Sequence, residues 1–152
     1  MHLYCIGQGS PTVVFESGTG EYWLSWYKTP PEVAKFTRVC SFDRAGLGWS
    51  DPSPHPRTSR VMAQEFHTLL HNAGVPAPFV LAGHSLGGAN TRVYASLYPA
   101  DVVGIVFVDA VHPDGSRLCR MLLQKTLPHL FSHFQSMFCL KYLLAAVSRS
   151  HF

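Results

Sequence analysis

Apolar residues fall along this chain in two rhythms. Short unbroken runs stand at positions 12–15 (Thr-Val-Val-Phe), 79–82 (Phe-Val-Leu-Ala) and 104–108 (Gly-Ile-Val-Phe-Val), and glycine-rich or polar residues punctuate the chain after each. Runs that are apolar on both faces, instead of alternating, predict buried strands of a parallel sheet. A less continuous run at 38–42 ends in the same way, at Asp43. A weaker candidate at 2–6 precedes Gly7, Gln8, Gly9, Ser10 and Pro11, which has the composition of a tight turn. That turn predicts an antiparallel pairing between the 2–6 strand and the 12–15 strand.

The second rhythm is helical. After Thr58 or Ser59 as a cap, Met62, Phe66, Leu69, Leu70 and Ala73 recur at helical spacing, with Gly74 just beyond the end and Pro76 barring continuation. Another helix is predicted from Ser85 to about Tyr98, stopped by Pro99. Strand, helix, strand, helix, strand is the order of a parallel sheet with right-handed crossovers. Beyond Asp114 the character changes: residues 118–147 are rich in Leu, Phe, Met and His around Pro128, with Arg120, Lys125 and Lys141 scattered among them, which predicts two amphipathic helices. The chain is therefore divided into a core at 1–114 and a helical, cap-like segment at 115–152. No stretch of about 20 residues is free of both charge and strongly polar groups, so a membrane span is disfavoured.

Composition changes this picture little. With 47% hydrophobic and 14% charged residues the chain reads as an ordinary globular protein whose thin charge cover leaves apolar surface for another segment or a partner. The formal charge of +3 is spread without a basic run, which argues against nucleic acid as a partner. Cys5, Cys40, Cys119 and Cys139 show no zinc-like spacing and are expected to be buried free thiols. The N-terminus shows no basic stretch followed by an apolar one, so no secretory signal is read, and a reducing, cytoplasmic setting is expected.

Chemistry concentrates in Gly83-His84-Ser85-Leu86-Gly87-Gly88, which places Gly-x-Ser-x-Gly at the junction of a predicted strand and a predicted helix. A serine on so sharp a turn projects its hydroxyl outward, while Gly83 and Gly87 stand where a side chain would collide and Gly88 lets the helix approach the sheet. The Leu86 amide lies at a helix N-terminus, where free N–H groups and the helix dipole favour developing negative charge. A second donor is expected from Ser17-Gly18-Thr19-Gly20, with Thr19 the first choice and Gly20 its neighbour. The pattern alone also occurs in turns with no catalytic role, and its surroundings carry the argument.

Those surroundings include Asp43-Arg44-Ala45-Gly46-Leu47-Gly48-Trp49-Ser50 after the 38–42 strand, Ser17-Gly18 before it, and Val108-Asp109-Ala110 after the last run. In order and spacing these resemble the α/β-hydrolase superfamily, in its proline-iminopeptidase-like and esterase-like branch, over residues 2–114. The resemblance implies a partial α/β-hydrolase fold, a mostly parallel sheet of about four to five strands flanked by helices, followed by cap-like helices. It implies Ser85 as nucleophile, the Leu86 and Thr19 amides as an oxyanion hole, and hydrolysis of a small-molecule ester, thioester or amide through an acyl-enzyme, with no cofactor and no metal.

The same resemblance calls for a histidine base after the last strand of the sheet and an acid after an earlier one. Neither region is reached, nor is the usual first strand, so the chain is read as a fragment, a truncated product or a degenerate member. Asp109 is the candidate acid, against the plainer reading that it caps a turn. His112, His129, His133 and His151 are candidate bases, each more simply a surface or packing residue. His84 is expected to point away from the hydroxyl; the pairs His67 and His71, and His129 and His133, have a two-ligand spacing without a third ligand. Asp43 and Arg44 are read as a loop-fixing pair, and Trp23, Trp26 and Tyr27 as packing over the site or within the core. The rival to a serine hydrolase is a non-catalytic, partner-binding remnant whose exposed sheet edge or apolar tail leads to self-association.

Overall fold

The computed structural model of the chain describes residues 1–111. Strands β1 (Leu3–Ile6), β2 (Thr12–Glu16), β3 (Val39–Phe42), β4 (Phe79–His84) and β5 (Val102–Val108) form one sheet in the order β1-β3-β2-β4-β5. β2 pairs in parallel with β3 and β4, and β4 in parallel with β5. Helices α1 (Thr29–Val33), α2 (Ser59–Asn72) and α3 (Leu86–Leu97) fill the crossovers. This is the mostly parallel, helix-flanked sheet that the apolar runs predict.

The pairing of β1 differs from the sequence expectation. β1 runs antiparallel to β3, with Leu3 opposite Phe42 and Cys5 opposite Cys40, and not beside β2. The physical reason lies in the position of β2, both of whose edges are taken by parallel partners. β1 is left to cover the free edge of β3. This register also overturns the free-thiol reading for two of the four cysteines, since Cys5 and Cys40 are joined in a disulfide, with their Cα atoms 4.1 Å apart. The expectation of a reducing setting loses the support it drew from them. Cys119 and Cys139 lie outside the described residues.

Each inner strand buries both faces, as its apolar run requires. Val14, Cys40, Phe42 and Leu81 pack on one side against Phe66 and Leu70 of α2 and Tyr94 of α3. Their neighbours Phe15, Val39 and Ala82 face the other side, against Trp26, Val33 and Ala34. Phe42 stacks on Phe66 with ring centroids 4.4 Å apart, and Phe66 meets Tyr94 at 4.8 Å.

α2 begins and ends as its sequence signals say. Thr58 is extended and its side chain accepts the Val61 N–H at 3.3 Å, while Gly74 follows the last turn with φ +62°. Replacing Thr58 with alanine is expected to lower stability by about 1 kcal/mol. Urea unfolding reads this as a lower midpoint at unchanged slope; an unmoved midpoint would mean that the cap contributes nothing.

Because β2 to β5 run parallel, the segments that follow them emerge at one end of the sheet. The chain order reverses direction between β2 and β4, which is where open α/β sheets bind their ligands. Among the described residues, Thr19, Ser85, Leu86 and Asp109 follow strands at this end.

Candidate active site

Ser85 stands alone between β4 and α3, with φ 50° and ψ −116°. A non-glycine residue rarely occupies such a conformation, and it is held there by its neighbours. The Ser85 N–H donates to the Val108 carbonyl at 3.3 Å, and the Ser85 carbonyl accepts the N–H groups of Gly88 and Val111, each at 3.1 Å. The end of β5 thus clasps the turn from one side.

The loop after β2 closes it from the other. Glu16 lies opposite Gly83 in the sheet, and a side chain on Gly87 would run into the Glu16 and Ser17 carbonyls. A Cβ on Gly83 would come within 2.6 Å of the backbone of Gly87 and Gly88. One on Gly88 would strike the Ala110 methyl, so the close approach here is to the segment after β5. Gly83 is therefore a glycine for a steric reason within the turn itself, and Gly87 for one that comes from the neighbouring strand end.

Of the two candidate donors, Leu86 is the first residue of α3, where N–H groups have no intrahelical acceptor. Thr19 is exposed, between Gly18, which is buried, and Gly20, which is exposed and has φ +73°. The Gly18 N–H donates to Glu21 Oε2 at 2.7 Å, so this amide is occupied. Glu21 Oε2 also lies 3.0 Å from His84 Nδ1, which ties the loop to the residue before Ser85. Burial pushes the Glu21 carboxyl up, but the bonds from His84 and Gly18 outweigh it and hold the group below its ordinary range. Trp26 completes this wall, packed on Phe15 at 4.6 Å and edge-on to His84 at 6.4 Å.

Asp43 and Arg44 both fix loops, but through separate partners. Asp43, fully buried, accepts the N–H groups of Trp23 at 2.8 Å and Trp49 at 3.0 Å and pairs with His2 Nδ1 at 3.1 Å. Arg44, 5% exposed, reaches instead beneath the loop after β2 and donates to the Ser17 and Gly18 carbonyls. Its charge faces Glu16, with Nη1 3.6 Å from Oε1, and the same Glu16 oxygen accepts from Asn90 Nδ2 at 2.6 Å. Burial raises the Glu16 carboxyl from its ordinary 4.5 to about 7, against the opposing pull of Asn90 and Arg44.

Sequence reasoning missed Glu16, Glu21 and Asn90. Glu16 closes an apolar run, as Asp43 and Asp109 close theirs, and nothing in that pattern marks it as buried. Asn90 follows Ser85 by five positions on a helix, and nothing in the sequence says that it faces the sheet.

The other candidates are scattered. Asp109, exposed at the end of β5 with φ 46°, lies between Val108 and Val111, the residues bonded to Ser85. Trp23 tilts against Tyr4 at 4.8 Å, while Tyr27 is exposed beside Lys28. His67 stacks on Tyr98 at 3.8 Å, and among the described residues no group of three metal-ligating side chains exists. His112, His129, His133 and His151 lie outside the described residues, as do the helices expected over 118–147. Among the described residues no helix is long and apolar enough to cross a membrane.

Known proteins are similar to this chain. An uncharacterized protein of Schizosaccharomyces pombe is 38% identical over 156 residues, covering 81% of this chain and 29% of that protein. An AB hydrolase superfamily protein of Gibberella zeae is 34% identical over 104 residues, covering 66% of this chain and 32% of that protein. A solved thermophilic esterase from Thermogutta terrifontis superposes with a TM-score of 0.67 at 23% identity, covering 82% of this chain and 47% of that one. This chain therefore spans less than half the length of each of these relatives. The alpha/beta hydrolase fold family matches residues 11–136, and with the sheet order and the strand-turn-helix at Ser85 this places the chain in that family: it is a member of the α/β-hydrolase fold family.

Proposed function

We propose that this chain carries the acylating centre of a serine hydrolase, with Ser85 as nucleophile and the backbone amides of Leu86 and Thr19 as oxyanion donors. The observation that carries the reading is the backbone of Ser85, a positive-φ serine between a buried strand and a helix. Such a turn lifts the hydroxyl above the sheet, beside the N-terminus of α3 and the loop after β2. Attack of Ser85 Oγ on an acyl carbonyl forms an acyl-enzyme and expels an alcohol, thiol or amine; water then releases the acid. Each amide aimed at the developing oxyanion contributes on the order of 3 kcal/mol to its stabilisation.

The serine proton needs a base. His84, the histidine next to Ser85, is engaged through Nδ1 with Glu21, so we place the base outside residues 1–111, where His112, His129, His133 and His151 are this chain's candidates. Asp109 is the candidate acid on its position at the end of β5. Residues 115–152 are read as a helical, cap-like segment that follows the core at 1–114 in sequence, and the substrate as a small acyl compound.

A fluorophosphonate probe should label the folded chain at one site, and Ser85→Ala should abolish the labelling. Folded wild-type protein inert to the probe would sink this reading. A second reading, a partner-binding domain that keeps the fold without the chemistry, is favoured by β5. Among the described residues it pairs along one edge, with β4, and Val103 on it is 61% exposed, with Val106, Phe107 and Val108 also exposed. Inert protein that self-associates in sedimentation would favour that reading.

A further inference from the structure

Beneath the loop after β2 lies a buried polar cluster that the proposed chemistry does not itself use. Glu16 ends β2 at 1% exposure, Arg44 follows β3, and Asn90 sits on α3 little more than one turn after Ser85. The three meet where the two walls of the site meet. Arg44 holds the carbonyl side of Ser17 and Gly18, Glu16 holds Arg44, and Asn90 ties Glu16 to α3. A guanidinium fork on two successive carbonyls fixes the plane of the loop, and with it the direction in which the following amides point.

We propose that Glu16, Arg44 and Asn90 form a positioning network that keeps the Thr19 and Leu86 amides in register, and that the charge on Glu16 sets how firmly Arg44 grips the loop. The inference deepens the serine-hydrolase reading and rests on it for its catalytic consequence only. Two observations besides the geometry support it. Glu16 Oε2 and Asn90 Oδ1 are buried with no hydrogen-bond partner among the described residues, so a neutral carboxyl suits the place better than an ionised one. Burial accordingly raises Glu16 to about 7, where a modest change of pH alters its charge. The groups that bear on it are Arg44 directly, and Arg57 and Glu21 through Arg44, while α2 brings only the uncharged Met62 Sδ, 3.7 Å from Asn90 Nδ2.

Deprotonated, Glu16 attracts Arg44 across 3.6 Å; protonated, it leaves the guanidinium to the two carbonyls alone. A purely structural cluster would not pass this change on to the loop. The test follows the backbone amides of Gly18, Thr19 and Leu86 by NMR in the full chain, from about pH 5 to about pH 8.5. Wild type, Glu16→Gln and His84→Gln are compared, because His84 Nδ1 contacts the same Glu21 oxygen that accepts the Gly18 N–H. The three amides should move together in one transition that survives in His84→Gln and disappears in Glu16→Gln. In addition, Arg44→Lys, which keeps the charge and loses the fork, should speed exchange of the Gly18 amide by roughly tenfold.

A transition that persists in Glu16→Gln, or amides that do not move, would overturn the network. Fluorophosphonate labelling of wild type should change by roughly threefold across the same transition, and stay flat in Glu16→Gln. Wild-type protein that shows the amide transition but takes no label would refute the hydrolase reading and leave the positioning network standing.

Discussion

Alanine at Gly83 or Gly87 is expected to cost the fold about 3 kcal/mol or more, and to abolish any labelling of Ser85. A Cβ on Gly83 would lie 2.6 Å from the Gly87 carbonyl carbon and oxygen and from the Gly88 nitrogen. One on Gly87 would lie 2.8 Å from the Ser17 carbonyl oxygen and closer still to that of Glu16. These are backbone atoms of α3 and of the strand end beside it, so no side chain can swing away to make room. Relief requires unwinding the first turn of α3 or parting β2 from β4, and either removes the geometry that presents Ser85. Gly20 provides the contrast, since a Cβ there meets nothing within 4 Å and only its φ of +73° opposes the change. Gly20→Ala should cost about 1 kcal/mol. Urea unfolding of the three variants beside wild type decides the matter: a Gly83→Ala midpoint no lower than that of Gly20→Ala would show that the turn is not sterically constrained.

The second large effect is a dependence of stability on pH that resides in one carboxyl. Glu16 titrates near its ordinary 4.5 in the unfolded chain and at about 7 in the fold. Between these values the folded protein holds a proton that the unfolded chain has lost, so stability falls as pH rises through this window and levels off on either side. Glu16→Gln, which has the shape of the protonated form and cannot ionise, lacks this slope. Its stability relative to wild type should therefore grow by about 3 kcal/mol from pH 4.5 to above pH 7, since each pH unit inside the window contributes roughly 1.4 kcal/mol. Taking the difference cancels the histidines and surface carboxylates common to both proteins. Unfolding midpoints measured side by side across this range provide the check, and a constant difference would show that Glu16 ionises inside the fold as it does in water.

The parallel core was legible because burial on both faces writes itself into composition. The runs at 12–15, 79–82 and 104–108 have no polar alternation, and each became a strand close to its expected bounds; β5, which gains Val102 and Val103, departs from the expected burial, since its residues are half-buried or exposed at the end of the sheet. The helix of residues 59–72 was equally open to reading, through Thr58 at one end and Gly74 at the other. What misled was β1. Its turn-like connection to β2 suggested a hairpin, but pairing depends on which edges remain free in three dimensions, and the sequence of two neighbouring strands does not contain that. The matching places of Cys5 and Cys40 within their strands were the overlooked signal. At the candidate site, Ser85, Gly83 and Gly87 stood out because sharp turns demand particular residues. Glu16 and Asn90 did not, since a buried polar residue looks like a surface one until its partners, 28 and 74 positions away, are brought to it.

The clasp on Ser85 also bears on whatever the chain does after Val111. The Val111 N–H is bonded to the Ser85 carbonyl, and the Val108 carbonyl receives the Ser85 N–H. The onward chain is thus hitched to the serine's own peptide groups, without the thickness of the sheet between them. A tug or twist on it would be transmitted to the hydroxyl like motion along a short strut, so segments grafted after Val111 would alter reactivity even where they never touch a substrate.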